Sequence, residues 1–111
     1  MVNKDYIDHF LLFLQNEKGY SENTLISYRD DLLTLVHFLD RESFGELLEV
    51  SHRIARYYIA SLHENYKPKS IARKISSLRT FYDFYISEEK IELNPFDSVE
   101  LPKKDKRLPK F

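Results

Sequence analysis

The chain has 111 residues, the size of one ordinary domain, with 42% hydrophobic and 32% charged residues. That is enough apolar material for one core, which excludes a disordered chain. The absence of cysteine excludes a disulfide scaffold and a cysteine-based zinc site. Two glycines and four prolines are too few for the turns of an all-β fold. No stretch is long and apolar enough to span a membrane and no signal peptide is recognisable, so we expect a soluble cytoplasmic protein.

Apolar residues at helical spacing predict two helices in the first part of the chain. The first runs from Lys4 to Glu17, and Gly19 follows where a helix needs a left-handed C-terminal cap. Ser21 is suited to cap the N-terminus of the second helix, which runs to about Asp40. Its buried stripe is expected to contain Leu25, Tyr28, Leu32, Leu35, Val36 and Leu39.

A short turn and a third helix are predicted next. Ser43 and Glu46 have the spacing of a capping box, although Gly45 between them allows only a short turn. Ser51 is expected to begin the third helix, which continues to about Glu64.

The fourth helix is predicted after a break at Pro68. Ser70 is expected to be its N-cap, and the apolar pattern continues to about Ser87. A short connection then leads to Asn94-Pro95, which stops the helical pattern. The expected buried stripe contains Ile71, Ile75, Leu78, Tyr82 and Tyr85.

The last eleven residues differ in character from the rest. Residues 101–111 contain two prolines and five basic residues against one acidic residue, without a helical period. This composition is typical of an extended basic linker. We therefore expect a helical domain over residues 1–100 and a linker over residues 101–111 that leads to a domain outside this chain.

The formal net charge of −1 hides an uneven distribution. Residues 1–66 hold six basic and eleven acidic residues, whereas residues 67–111 hold eleven basic and seven acidic residues. Between Lys67 and Arg79 there are five basic residues and no acidic one. A nucleic-acid partner is therefore compatible with the near-neutral total, because the distribution of charge matters more than its sum.

The fourth helix carries the strongest candidate binding surface. At about 100° per residue, Ser76 and Thr80 are expected to point away from the core stripe. Basic side chains neutralise phosphates, and short hydroxyl side chains bond phosphate oxygens. A solvated basic surface without a ligand is the alternative. The candidate residues on or beside this exposed surface are Lys69, Ser70, Arg73, Lys74 and Ser77.

The second helix offers a weaker candidate near its N-terminus. Asn23, Thr24 and Ser27 lie off its core stripe, where they could contact a phosphate or simply take part in N-capping. Asp30 and Asp31 follow and are interpreted as solvated surface, so only the first turns would tolerate a phosphate.

Other chemistry has little support in the sequence. The four histidines are never three or four residues apart, so no helical metal-binding pair exists. With only Gly19 and Gly45, a glycine-rich phosphate loop is excluded. We expect no catalytic residue, no metal, no cofactor, no small-molecule substrate and no membrane partner.

Two segments of the chain resemble a known family. The segment from Gly19 to Leu32 looks like the first signature of the N-terminal domain of tyrosine recombinases of the Xer and phage-integrase type, and the segment from Ser70 to Phe84 is similar to the second. Asn94-Pro95 and Leu101-Pro-Lys-Lys resemble the ending that leads into the catalytic domain. The resemblance implies an all-α fold, a four-helix SAM-like orthogonal bundle that binds one side of duplex DNA through its second and fourth helices.

The resemblance also implies which residues contact DNA and where catalysis lies. It points to the candidates already named on the second and fourth helices, with linker residues following the DNA backbone: Lys103, Lys104, Lys106 and Arg107. The catalytic groups of this family belong to a C-terminal domain that this chain lacks, so no tyrosine here inherits the nucleophile's role. Other recombinase subunits are expected partners when the protein is full-length and bound to DNA. The alternative function is a helical protein-interaction module that mediates subunit assembly.

Overall fold

The computed structural model describes residues 2–99. They form α1 (Asn3–Glu17), α2 (Glu22–Glu42), a 3-10 turn (Leu47–Glu49), α3 (His52–Leu62) and α4 (Pro68–Ser87). No strand occurs in this part of the chain. The predicted all-α fold with four helices is therefore confirmed. The predicted linker lies outside the described residues, and the boundary after residue 100 stays a prediction.

The junction between α1 and α2 follows the predicted capping pattern. Gly19 has a φ of 66°, the left-handed conformation that a helix C-terminus needs and that glycine adopts at little cost. The Ser21 hydroxyl then accepts a hydrogen bond from the Thr24 backbone N–H at 3.3 Å. Ser51 caps α3 in the same way, by accepting from the Ile54 N–H at 3.2 Å. Local sequence signals thus define three of the helix ends.

The capping box predicted at Ser43 and Glu46 is wrong in register. Ser43 has a φ of 59° and ends α2 in the left-handed conformation. The capping box is formed three residues later, where the Glu46 N–H donates to Glu49 Oε1 at 2.9 Å around the 3-10 turn. A short turn is present as expected, but it begins after Glu46 rather than after Ser43.

The predicted start of α4 is also wrong. The helix begins at Pro68 with Lys67 as N-cap, three residues before the start expected with Ser70 as N-cap. Proline is well suited to the first helical position, because its fixed φ matches the helix and its missing N–H would have no partner there. Pro68 therefore belongs to α4 as its first residue, although it was expected to lie in the break before the helix, and Ser70 lies inside the first turn.

The core is built around α4, which is buried over a wider arc than the predicted stripe. The stripe from Ile71 to Tyr85 is buried as expected, and a second row beside it is buried too: Lys74, Ser77, Phe81 and Phe84. Phe10 of α1 packs edge-to-face on Phe81 with ring centroids 5.3 Å apart. Because α4 contacts other elements on both rows, polar residues of the second row lie inside the protein.

Three tyrosines have their rings in this core. The Tyr82 hydroxyl donates to the Leu47 carbonyl at 2.6 Å, and the Tyr85 hydroxyl donates to the Tyr6 carbonyl at 2.7 Å. The Tyr58 hydroxyl is buried without a hydrogen-bond partner among the described residues. Burial raises the pKa of all three phenols well above the ordinary value, because the phenolate would lose its hydration.

The segment after α4 returns along the bundle. Phe96 is fully buried, and its ring lies 5.8 Å from the ring of Tyr82. Arg79 Nε donates to the Phe96 carbonyl at 2.9 Å, and Asn94 Nδ2 donates to the Arg79 carbonyl at 3.0 Å. The chain up to Val99 is thus part of the packed structure.

Candidate nucleic-acid interface

A buried carboxylate joins α2 to α4. Asp31 has no exposed surface and accepts hydrogen bonds from three residues of α4. Its Oδ1 lies 2.8 Å from Arg73 Nη2 and 3.1 Å from Lys74 Nζ, while its Oδ2 lies 3.3 Å from Arg73 Nε and 2.7 Å from Ser77 Oγ. We call these four residues the Asp31 cluster. Each carboxylate oxygen has two donors, which compensates the loss of hydration on burial.

Three expectations about exposure are therefore wrong. Asp31 was expected at the solvated surface, yet it is fully buried, whereas its neighbour Asp30 is exposed. Lys74 and Ser77 were expected on or beside an exposed surface, yet only 5% and 7% of their surfaces are accessible. These groups can be buried because they pair with one another. The Asp31 carboxylate of α2 gives the polar side chains of the second row on α4 a partner inside the protein, and they do the same for the carboxylate.

Lys74 uses its ammonium group entirely within the protein. Besides Asp31, its Nζ lies 3.4 Å from Thr34 Oγ1 and 4.8 Å from the centroid of the Tyr66 ring. The ring adds a cation–π attraction to the ion pair. A contact between Lys74 and a phosphate would require the ammonium group to leave these partners.

Arg73 differs from Lys74 because it is only partly enclosed. Its side chain is 55% exposed, although it is paired with a carboxylate that is fully buried. The hydrogen bond that Arg73 donates to the Asp31 carboxylate raises the pKa of the guanidinium, so its charge is permanent. Two of the five guanidinium N–H donors are used by Asp31, and more than half of the side chain remains open to a ligand.

The other candidate residues lie mostly at the surface. On α4, Lys69 is exposed and Ser70 is half-buried. On α2, Asn23, Thr24 and Ser27 are exposed. We give the name α2–α4 surface to six of the exposed polar residues of the two helices: Asn23, Thr24, Ser27, Lys69, Arg73 and Ser76. Of these, the hydroxyl of Thr24 accepts from the Ser21 hydroxyl at 3.1 Å, so Thr24 also takes part in N-capping. The four linker candidates lie outside the described residues.

The charge of the α2–α4 surface is positive on the side of α4. Lys67, Lys69 and Arg73 are exposed, and no carboxylate occurs on α4 before Asp83. Arg79 is half-buried and donates to the carbonyls of Phe96 and Val99, so its role is structural. On α2, the exposed carboxylate of Asp30 partly offsets the positive charge.

Asp31 was not among the residues that the sequence predicted for this site. A positional signal for it exists: Asp31 lies three residues after Tyr28 and four before Leu35, at the edge of the buried stripe of α2. Lys74 has the same relation to Ile71 and Leu78 on α4. An acidic and a basic residue at stripe edges of two helices indicate a possible pair, but each helix alone does not reveal that the helices meet there.

Other kinds of site have little support in residues 2–99. No three histidine, aspartate or glutamate side chains come together in a way that could hold a metal ion. A cleft of about 650 Å³ between α2 and α3 is lined by residues of both charges, among them Arg41, Glu42 and Glu64. No helix in this part of the chain is both long and apolar enough to cross a membrane.

Comparisons with known proteins agree with the fold. Residues 7–89 match the family described as the phage integrase N-terminal SAM-like domain. The chain is 41% identical over 103 residues to the tyrosine recombinase XerC of Anoxybacillus flavithermus, which covers 92% of this chain and 34% of that relative. It is 44% identical over 105 residues to the tyrosine recombinase XerC of Staphylococcus aureus, which covers 94% of this chain and 35% of that relative. The chain thus spans about a third of the length of these relatives. No solved structure matches at a significant level.

Proposed function

Because the chain belongs to the family of phage integrase N-terminal SAM-like domains, we propose that it is the DNA-binding domain of a site-specific tyrosine recombinase or integrase. It binds duplex DNA through the α2–α4 surface during DNA recombination and integration. The observation that supports this most directly is the row of exposed cations from Lys67 to Arg73 on a helix without a carboxylate before Asp83. Such a surface attracts the phosphate backbone.

The contacts can be divided by side-chain chemistry. Lys69 and Arg73 supply charge to phosphates, and Ser76 supplies a short hydroxyl donor on the same helix. From α2, the polar groups of the first two turns reach the DNA: Asn23, Thr24 and Ser27. Ser70 is half-buried and assists from the first turn of α4. Lys74 and Ser77 act inside the protein instead, and Lys103, Lys104, Lys106 and Arg107 follow the DNA backbone beyond the described residues.

Strand cutting and rejoining are assigned to residues outside this chain. About two thirds of each relative has no counterpart here, and the proposal uses no catalytic residue, metal, cofactor or small-molecule substrate of these 111 residues. We expect the protein to act in the cytoplasm, together with its DNA.

The proposal is tested by titrating the 111-residue chain with duplex DNA at low salt and following backbone NMR shifts. We expect shifts in the first turns of α2 and in residues 69–80 of α4. Lys69→Ala and Arg73→Ala should each weaken binding and reduce the slope of log affinity against log salt by about one. Arg56→Ala, an exposed arginine of α3, is the matched control that leaves the slope nearly unchanged. Shifts confined to α1 or α3 would contradict the proposal.

Contact with other recombinase subunits is a second proposed function of the same domain. Three large apolar side chains of α1 and α2 remain exposed: Leu12 at 54%, Ile26 at 40% and Leu33 at 36%. Apolar surface of this kind is typical of a protein contact. A molar mass that rises with concentration in light scattering, without NMR shifts on adding DNA, would favour assembly as the sole function.

A further inference from the structure

We infer that Asp31 is a positioning residue for DNA binding: from inside the protein it orients the guanidinium of Arg73 toward the DNA backbone. This inference rests on the proposed function and adds a role for a residue that cannot itself touch DNA. Asp31 carries a negative charge and would be expected to oppose binding. The geometry of the Asp31 cluster gives it the opposite effect.

The contact between Asp31 and Arg73 fixes the plane of the guanidinium group as well as its distance from the carboxylate. Arg73 Nη2 donates to Oδ1 at 2.8 Å while Nε donates to Oδ2 at 3.3 Å, so two N–H groups meet the two oxygens side by side. Such a two-point pair restricts the rotation of the guanidinium as well as its position. An arginine that is held in advance loses less conformational freedom when it binds a ligand.

The carboxylate is fixed in turn by its other donors. Lys74 Nζ lies 3.1 Å from Oδ1, and Ser77 Oγ lies 2.7 Å from Oδ2. Both are buried, and the carboxylate itself has no exposed surface. The pair of Asp31 and Arg73 therefore behaves as a rigid unit attached to the core, and only its arginine reaches the surface.

The charge of the cluster also favours an anion. One carboxylate and two cations leave a net charge of about +1, with the negative group inside and the 55% exposed Arg73 outside. Asp30, the preceding residue on α2, is exposed and has no such partner among residues 2–99. The two adjacent aspartates should therefore have opposite effects on DNA binding.

The test compares Asp31→Asn with Asp30→Asn in the 111-residue chain at one low salt concentration. Each variant removes one negative charge, so net charge alone predicts that both bind duplex DNA more tightly. We expect Asp30→Asn to tighten binding and Asp31→Asn to weaken it by about fivefold or more, the loss expected when one arginine contact to nucleic acid is impaired. Tighter binding by a folded Asp31→Asn variant would overturn the inference.

A double variant separates positioning from general stability. If Asp31 acts through Arg73, Asp31→Asn should weaken DNA binding when Arg73 is present. In a chain that already carries Arg73→Ala, the same substitution should cause no further loss of affinity. The spectroscopic signature is the Nε–H resonance of Arg73, which should exchange slowly with water in the original chain and rapidly in Asp31→Asn. Equal weakening in both backgrounds would show that Asp31 acts on the fold rather than on Arg73.

Arg73→Lys tests the inference even if the Asp31→Asn variant does not fold. It keeps the charge and leaves the carboxylate with Lys74 and Ser77, but a lysine cannot form the two-point pair. We expect its affinity to fall to nearly that of Arg73→Ala, and affinity equal to that of the original chain would overturn the inference. Unchanged binding by both Lys69→Ala and Arg73→Ala would instead overturn the proposed function itself.

Discussion

At the scale of single residues, burial decides what each polar group of α4 does. Ser76 and Ser77 are adjacent and chemically identical, yet Ser76 is exposed while Ser77 donates to a buried carboxylate at 2.7 Å. A hydrogen bond to a charged acceptor contributes more to stability than one between neutral groups. Ser77 therefore contributes to stability, whereas its neighbour Ser76 is free to contribute to binding.

Ser77→Ala should lower the free energy of unfolding by about 1.5–3 kcal/mol, because Asp31 then loses one of its donors inside the protein. Ser76→Ala should change it by less than about 0.5 kcal/mol, as surface substitutions usually do. The small gain in helix propensity from serine to alanine is common to both variants and cancels in the comparison. Urea denaturation followed by circular dichroism measures the difference. Equal stabilities would mean that Ser77 contributes nothing through its hydroxyl.

At the scale of elements, α4 and the segment after it form one structural unit. Arg79 donates to the Phe96 carbonyl at 2.9 Å, and the Phe96 ring packs against the rings of Tyr58 and Tyr82. His52 at the start of α3 contacts the Pro95 carbonyl through Nδ1 at 3.2 Å. Residues 94–99 thus connect α3 with α4.

Phe96→Ala should lower the free energy of unfolding by about 3–5 kcal/mol, because it removes a fully buried ring and leaves a cavity between two helices. Leu93→Ala is the matched control in the same segment. Leu93 is 82% exposed, so its truncation should cost less than about 0.5 kcal/mol. Thermal unfolding of both variants checks this prediction. A small effect of Phe96→Ala would show that the segment does not contribute to the core.

At the scale of the whole molecule, the sequence predicts the helices better than their contacts. Helical periodicity and the capping residues Gly19, Ser21 and Ser51 are local signals, and each was confirmed. The position of Lys74 could not be predicted in this way, because its partner Asp31 lies 43 residues earlier in the chain. A polar residue at the edge of a stripe is exposed unless another helix brings it a partner, and that depends on tertiary packing.

The same packing predicts how the whole fold responds to alkaline pH. Burial raises the pKa of Tyr58, Tyr82 and Tyr85 above that of an unfolded tyrosine, about 10. Above pH 10 the folded chain then binds more protons at these phenols than the unfolded chain does. The stability that they contribute is therefore complete below about pH 10 and is lost as the pH rises further.

In a spectrophotometric titration followed in parallel by circular dichroism, we expect the phenols of Tyr58, Tyr82 and Tyr85 to ionise only together with the loss of helical signal. The fold must open before these buried phenols lose their protons. Tyr58→Phe should remove one phenol from the ionisation that accompanies unfolding. Because the Tyr58 hydroxyl has no hydrogen-bond partner among residues 2–99, Tyr58→Phe should leave stability at neutral pH unchanged or raise it. Ionisation of Tyr58, Tyr82 and Tyr85 while the helices remain intact would contradict the burial of these side chains.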